Sequence, residues 1–260
     1  MNRRHEDGSA GDTNYGRIGV AYSTYRQPDP RFAAAIVEAI GGARTVLNVG
    51  AGAGSYEPTD RDVTSVEPSA SMRAQRPSHL PPAIDAMAED LPFPDKAFDA
   101  AMTTFSIHQW SDVAAGLSEM RRVARGPIVI MTEDPDLLDR FWLACYAPQV
   151  ITSSARRYPS IASIAEVLGE VEVANIPIPL ECVDGFNEAY YGRPEMLLDP
   201  LARTSCSAWS FVDEPTAASY VERLASDLAD GTWDRKYGHL RIQPAFDGSL
   251  VLIVSRGEPM

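Results

Sequence analysis

The sequence holds few residues that bind metals or form disulfides. Its 260 residues include three cysteines and four histidines. These lie far apart, and no CxxC pair, HExxH motif or Cys/His cluster has the spacing of metal ligands. An odd number of isolated cysteines is typical of reduced thiols in the cytoplasm rather than of a disulfide framework. We therefore predict a cytoplasmic protein without a bound metal.

Basic residues and long apolar runs are also scarce. The chain has 23 lysines and arginines against 36 aspartates and glutamates, a formal net charge of -13. This charge repels phosphate polymers and anionic membrane surfaces. Residues 1–14 lack the apolar core of a signal peptide, and no run of about 18 apolar residues occurs. We expect a monomer or homodimer that acts on a small molecule, with neither nucleic acid nor a membrane as partner.

What the sequence does contain is a regular alternation of strands and helices. Short apolar runs at 45–49, 63–67, 98–105 and 128–132 read as buried strands, and 83–86 as a weak one. Helical patterns cover 31–40, 69–75 and 112–124, and an extended segment at 171–181 precedes a late strand at 249–255. This alternation predicts an α/β fold with a doubly wound, mostly parallel sheet covered on both faces.

The pattern changes after residue 133. Helical stretches near 186–191, 194–202 and 215–230 interrupt a segment too long to be a structureless loop. We interpret 183–248 as a helical insertion that covers one edge of the sheet and the substrate. Residues 1–14 show no periodicity and are predicted to be a disordered tail, which leaves a single domain over 15–260.

A glycine-rich turn and an acid mark the candidate site. The run 50–54 (GAGAG) follows a buried strand and precedes an expected helix, and glycine lets a ligand approach the backbone closely. Glu67 ends the next strand, where its carboxylate can accept hydrogen bonds from a ribose held over the turn. The alternatives are a turn used only for packing and a Glu67 that caps the helix beginning near Ser69.

The ligand predicted for this turn lacks phosphates. A dinucleotide fingerprint would be GxGxxG or GxGxxA, but here the third glycine comes one position early, at Gly54, and Ser55 stands where a small apolar residue is required. Glu57, close to the N-terminus of the expected helix, is a poor neighbour for a pyrophosphate. A nucleotide-dependent oxidoreductase remains an alternative that these residues disfavour.

Four segments resemble successive motifs of one known family. They are 46–58 (VLNVGAGAGSYEP), 63–72 (VTSVEPSASM), 86–110 (AMAEDLPFPDKAFDAAMTTFSIHQW) and 125–131 (RGPIVIM). The sequence resembles class I S-adenosylmethionine (SAM)-dependent methyltransferases, in particular the UbiE-like (methyltransferase type 11) small-molecule subfamily. The ending at 238–256 resembles the closing strand of that subfamily. The resemblance implies a seven-stranded Rossmann-like sheet with an antiparallel last strand and a transferase that releases S-adenosylhomocysteine (SAH).

The resemblance also implies a set of cofactor-binding residues. The glycine turn would hold the methionine and ribose portions of SAM, Glu67 the ribose hydroxyls, and the N–H of Ala88 the adenine. A lid helix within 15–42 would close over the cofactor carboxylate. The implied residues are Tyr22, Arg26, Gly50, Ala51, Gly52, Gly54, Glu67, Pro68, Met72, Met87, Ala88 and Phe105. Met87 stands where many family members have an aspartate, so adenine recognition would depend on Ala88 and on packing.

Methyl transfer from a sulfonium is an in-line displacement whose rate can come largely from positioning. His108 is the candidate catalytic base, with a packing or capping role as the alternative. Three aromatic residues are assigned to the substrate pocket, namely Trp110, Tyr190 and Tyr191. Glu133, Asp134 and Asp136 are expected in a solvated loop, with a carboxylate that faces a basic substrate or a metal as the alternative. A SAM-binding regulatory protein without transferase activity is the remaining alternative.

Overall fold

The computed structural model describes residues 22–257, and its central feature is a six-stranded sheet. The strands are β1 (Thr45–Val49), β2 (Asp62–Val66), β3 (Ala100–Thr104), β4 (Ile128–Glu133), β5 (Glu172–Asn175) and β8 (Leu250–Ser255), and a separate pair is formed by β6 (Ile178–Pro179) and β7 (Ala245–Phe246). The helices are α1 (Tyr22–Tyr25), α2 (Pro30–Ile40), α3 (Ala70–Arg73), α4 (Val113–Val123), α5 (Leu143–Tyr146), α6 (Pro148–Arg157), α7 (Ile161–Leu168), α8 (Pro200–Thr204), α9 (Glu214–Ala229) and α10 (Thr232–Tyr237).

The strand order is β2-β1-β3-β4-β8-β5. The first four strands are parallel, and β8 runs antiparallel to both of its neighbours. The predicted strand 83–86 is reduced to a single parallel bridge between Ile84 and Val66, so the sheet has six full strands rather than seven. The prediction of a doubly wound, mostly parallel sheet with an antiparallel last strand is confirmed.

Helix starts follow the capping residues of the sequence. The side chains of Asp29, Ser69 and Asp112 each accept a backbone N–H in the first turn of α2, α3 and α4. Such caps satisfy donors that have no partner within the helix. Each cap therefore fixes the residue at which its helix begins.

Two predicted helices differ from the structure. No helix follows the glycine run, because residues 50–61 form turns in which Tyr56 adopts a positive φ of 65°. The predicted lid helix 15–42 is not continuous in its described part. α1 and α2 are separated at Arg26–Asp29, where Pro28 and Pro30 restrict the backbone. Residues 15–21 and the side chain of Tyr22 lie outside the described residues.

The segment 183–248 forms α8, α9, α10 and several short 3-10 helices. It packs against α1, α5 and α6, and Trp233 and Tyr191 are fully buried within it. The expected cover does not extend to the edge strand β5, since all four of its residues are exposed. These contacts place the segment near the carboxyl ends of the parallel strands instead.

Glu188 is an acid buried in this segment. One of its carboxylate oxygens accepts hydrogen bonds from the N–H and Oγ of Ser249, both at 2.8 Å, and the other has no partner among the described residues. Burial raises the pKa of Glu188 to about 8. An unfolded glutamate titrates near about 4.3, so the folded chain binds the extra proton and its stability falls as the pH rises between these two values.

We expect Glu188→Gln to remove this pH dependence. A glutamine keeps the carbonyl acceptor for Ser249 and carries no charge, so the variant should be more stable than the wild type by at least about 1 kcal/mol at pH 8.5 and little different at pH 4.5. Urea unfolding at the two pH values measures the difference. Asp136→Asn, at an exposed position, is the control. Equal stabilities of wild type and Glu188→Gln at pH 8.5 would contradict the assignment.

Candidate active site

Two adjoining cavities lie at the carboxyl ends of the parallel strands. The first cavity has a volume of about 830 Å³ and the second about 440 Å³. Arg26 and Phe105 line both cavities and therefore form the boundary between them. The first cavity is lined by Arg26, Gly50, Ala51, Gly52, Ala53, Ser55, Tyr56, Glu67, Pro68, Met72, Ala88, Glu89, Thr104, Phe105, Ser106, Gln109, Trp110 and Asp184.

The glycine turn forms the floor of the first cavity. Gly50 and Gly52 have positive φ angles of 68° and 53°. A Cβ at Gly50 would lie 1.8 Å from Oγ of Ser106, which leaves no space for any side chain. The N–H groups of Gly50 and Ala51 both donate to the carbonyl of Val66 at 3.0 Å. The turn is therefore held directly against the end of β2.

Glu67 is fixed by backbone donors on two sides. Its Oε2 accepts from the N–H of Gly52 at 2.7 Å, and its Oε1 accepts from the N–H of Ser69 at 2.8 Å. The residue is 8% exposed, and burial raises its pKa although both hydrogen bonds act in the opposite direction. The carboxylate thus has a defined orientation at the cavity wall, with lone pairs left for hydroxyl donors.

Most of the predicted cofactor-binding residues lie together in the first cavity. Those that line it are Arg26, Gly50, Ala51, Gly52, Glu67, Pro68, Met72, Ala88 and Phe105. Gly54 and Met87 are outside the lining. The missing Cβ of Gly54 points at Leu80 and Arg76, because the chain has already turned away from the cavity at φ 95°. We therefore do not assign Gly54 or Met87 to the site.

Three residues predicted for a substrate pocket are placed differently. Trp110 lines the first cavity, where its Nε1 donates to Oγ of Ser106 at 3.1 Å. Tyr190 and Tyr191 are 2% and 0% exposed and belong to the hydrophobic core. Tyr191 stacks on Phe246, because the aromatic positions of the 183–248 segment fill its own interior.

Glu57 does not face the ligand, which removes one argument against a dinucleotide. Its side chain is 2% exposed and forms an ion pair with Arg76 at 2.9 Å. The same carboxylate accepts from Oγ of Ser65 at 2.7 Å and from Nδ2 of Asn48 at 3.2 Å. This buried network holds the glycine turn in place from below. The absence of a helix after the turn is the stronger argument against a pyrophosphate site.

Sequence reasoning did not find a network that joins the N-terminal segment to residue 184. Arg26 forms an ion pair with Asp184, which is 2% exposed and also accepts from the hydroxyl of Tyr56 at 2.7 Å. The guanidinium of Arg26 lies 5.0 Å from the ring centre of Phe105. Phe105 itself has a positive φ of 50°, which is unusual for a bulky residue. The boundary between the cavities is consequently built from four distant parts of the chain.

The second cavity is lined by polar side chains and two phenylalanines. Its residues are Arg26, Phe105, His108, Glu133, Ser154, Tyr158, Phe186, Asn187, Ser205, Cys206, Ser207 and Ala208. Glu133 ends β4 and is 5% exposed, so the expectation of a solvated loop is wrong for this residue. The hydroxyl of Tyr158 donates to the Glu133 carboxylate, and the Tyr158 ring lies 4.5 Å from that of His108.

Burial disfavours the charged form of both Glu133 and His108 in this cavity, so it shifts their pKa values in opposite directions. Burial raises the pKa of the Glu133 carboxyl and lowers the pKa of His108 well below its usual range. The guanidinium groups of Arg157 and Arg26 lower the pKa of His108 further. His108 is therefore a neutral imidazole near pH 7 and a weaker base than an exposed histidine.

Neither a metal site nor a membrane span is found in residues 22–257. No group of three or more His, Cys, Asp or Glu side chains in that part of the chain could hold a metal ion. No described helix combines the length and the apolar character needed to cross a bilayer.

The first cavity fits a nucleoside joined to an amino acid. It has the volume of a typical small-ligand site, a floor on which a Cβ at Gly50 would collide, and a fixed buried carboxylate beside that floor. Arg26, at its boundary with the second cavity, offers a guanidinium suited to a carboxylate. These residues lie at a topological switch point of the sheet, between β1 and its neighbours β2 and β3.

Comparisons with known proteins agree with this geometry. Residues 47–127 match the model of the methyltransferase domain family. A protein from Anabaena variabilis, described as a methyltransferase from an antibiotic biosynthesis pathway, is 29% identical with a TM-score of 0.82, over 89% of this chain and 98% of that chain. A SAM-dependent methyltransferase from Thermotoga maritima is 17% identical with a TM-score of 0.53, over 94% and 95% of the two chains, and shows the fold alone.

The uncharacterised protein YafE of Escherichia coli is 38% identical over 77 residues, which are 28% of this chain and 37% of that protein. The match thus covers well under half the length of that relative. Residues 47–127 thus match the methyltransferase domain family, and the chain has the class I methyltransferase fold. The prediction of a SAM-dependent methyltransferase is confirmed at the level of the domain family and the fold.

Proposed function

We propose that the protein transfers a methyl group from SAM to a small-molecule acceptor. One observation carries this proposal. The cavity that fits the cofactor and a second, smaller cavity meet at a common boundary of Arg26 and Phe105. Two ligands bound there would meet at the same two residues, which a transfer between them requires. A protein that only senses SAM would need no second cavity at that point.

Different residues of the first cavity would bind different parts of the cofactor. The glycine turn would pass below the ribose, and the Glu67 carboxylate would accept hydrogen bonds from the ribose hydroxyls. Pro68, Met72 and the backbone of Ala88 lie together on the lining, where an adenine would pack. Arg26 would bind the carboxylate of the methionine portion. SAM supplies an electrophilic methyl group on a sulfonium, and the thioether that leaves needs no proton.

His108 is better suited to contact the acceptor than to deprotonate it. It lines the second cavity, and its lowered pKa keeps it neutral near pH 7. A neutral imidazole with a depressed pKa gains little by taking a proton. We propose that the second cavity is the acceptor cavity, and that His108 shapes it and hydrogen-bonds the acceptor.

Calorimetric titration with SAH and with NAD tests the cofactor assignment. SAH should bind and NAD should not, since residues 50–61 form turns and not a helix whose N-terminus could receive a pyrophosphate. Incubation with methyl-labelled SAM and a panel of metabolites then tests transfer. Tight SAH binding without transfer to any acceptor would favour the regulatory alternative, and binding of NAD instead of SAH would favour the oxidoreductase.

Arg26→Gln should weaken SAH binding by about tenfold, the effect of losing roughly 1.4 kcal/mol of charge-assisted hydrogen bonding to the cofactor carboxylate. Binding of 5'-methylthioadenosine, which has no carboxylate, should change by less than about threefold. Arg156→Gln, at an exposed position of α6, is the matched control. Calorimetry gives all the constants. A tenfold loss for both ligands would show that Arg26 supports the cavity rather than the carboxylate.

A further inference from the structure

Glu133 is a buried acid in the acceptor cavity that the proposed function leaves unused. It is the last residue of β4, which pairs with β3, and Glu67 directly follows β2, which pairs with β1. Its known partner is the hydroxyl of Tyr158, which satisfies part of the hydrogen-bonding capacity of a carboxylate. A buried carboxylate that lines a cavity offers its remaining lone pairs to a ligand donor.

The charges around Glu133 indicate which kind of donor fits. The ionisable groups that interact electrostatically with Glu133 are Tyr158, Arg26, Asp184, Arg157, Glu188 and Cys206. Two of these groups are guanidinium cations, and His108 is neutral. The two cations are balanced by the carboxylates of Glu133 and Asp184, so an ammonium group would add an unbalanced charge to a buried cavity, whereas a neutral hydroxyl would not. The two phenylalanines, Phe105 and Phe186, whose ring centres are 5.4 Å apart, provide an apolar part of the lining.

We infer that the acceptor carries a neutral hydroxyl group, and that the Glu133 carboxylate binds this group and takes its proton during transfer. This inference rests on the proposed transferase function. The O–H bond of the acceptor breaks and its proton joins the Glu133 carboxylate, while the oxygen bonds to the methyl carbon. The C–S bond breaks and its electron pair stays on sulfur. One negative carboxylate and one positive sulfonium become neutral, which a desolvated cavity favours.

Tyr158 is the positioning residue in this arrangement. Its hydroxyl occupies one lone pair of the Glu133 carboxylate, and its ring packs on His108. The carboxylate keeps a second oxygen that can accept from a ligand. Tyr158→Phe should therefore loosen the preference of the cavity for a hydroxyl without changing SAH binding.

Three small probes test the inference without knowledge of the natural acceptor. They are 4-methylphenol, its methyl ether, and 4-methylbenzylamine in its ammonium form, each titrated by NMR into SAH-saturated protein near pH 7. The wild type should bind the phenol at least about tenfold more tightly than either other probe, the effect of one hydrogen bond to a charged group. Glu133→Gln should reduce this preference to below about threefold, because Tyr158 would occupy the amide oxygen and leave N–H donors facing the ligand.

Asp136→Asn, exposed three residues further on, should keep the wild-type preference. SAH titration of the same samples distinguishes a failure of the proposed function from a failure of the Glu133 assignment. If SAH does not bind the wild type, the proposed function fails. If SAH binds but the phenol and the ether bind equally, no probe binds, or the ammonium binds most tightly, only the assignment of Glu133 and of a hydroxyl acceptor is overturned. On any hydroxyl acceptor that is methylated, Glu133→Gln should lower kcat by about 100-fold with little change in KM.

Discussion

Gly50→Ala should reduce the affinity for SAH by at least about 100-fold, or about 2.7 kcal/mol. The added Cβ would lie 1.8 Å from Oγ of Ser106 and 2.8 Å from its Cβ, at a backbone φ of 68°. The left-handed conformation alone costs an alanine roughly 1 to 2 kcal/mol. Relief of the overlap requires Ser106 to move, and with it the wall of the first cavity that follows β3. Calorimetry with SAH measures the loss.

A matched control and a rescue variant separate this clash from a general loss of folding. Gly42→Ala adds a Cβ with no heavy atom within 4 Å and should bind SAH as the wild type does. Gly50→Ala combined with Ser106→Gly removes both overlapping atoms and should recover part of the affinity and thermal stability. If Gly50→Ala binds SAH within threefold of the wild type, the glycine turn is not the floor of the cofactor site.

Glu67→Ala should weaken SAH binding by about 10- to 100-fold. The side chain offers charged acceptors to the ribose, and a hydrogen bond to a charged group contributes about 1.5 to 3 kcal/mol. The substitution also frees the N–H groups of Gly52 and Ser69, which the carboxylate holds at 2.7 and 2.8 Å. The turn and the start of α3 therefore lose their common anchor, so the loss should reach the upper part of this range.

Asp62→Ala, at the exposed beginning of the same strand, is the control for Glu67→Ala and should leave the dissociation constant unchanged. Glu67→Gln should be intermediate, since an amide can still accept one hydrogen bond but carries no charge. An unchanged constant for Glu67→Ala would contradict the ribose assignment, and equal losses for the alanine and glutamine variants would place the whole effect in the charge.

The parts of the fold that sequence predicted best are local. β1 has the predicted bounds and α2 differs from its prediction by one residue, because a short apolar run and an amphipathic helical pattern are each complete within a few residues. The positions of Gly50, Glu67 and Phe105 at one edge of the sheet follow from the rule that parallel strands present their carboxyl ends together. The strand at 83–86 was overpredicted because a single edge bridge has the same sequence pattern as a short strand.

The rest of the site depends on contacts between distant residues. Arg26 and Asp184 are 158 positions apart, and Tyr56 and Asp184 are 128 apart, so no local pattern reveals their network. Glu57 was misjudged for the same reason, since its partner Arg76 approaches from another turn. Glu133 had a usable signal. It is an acid at the carboxyl end of a buried parallel strand, the same criterion that identified Glu67.

A crystal structure of the protein grown with SAH tests the cofactor site most directly. We expect SAH in the first cavity, with its ribose hydroxyls on the Glu67 carboxylate, its sugar above residues 50–52 and its sulfur facing the boundary at Phe105. A first cavity without SAH at saturating concentration, or SAH bound elsewhere on the chain, would contradict this assignment.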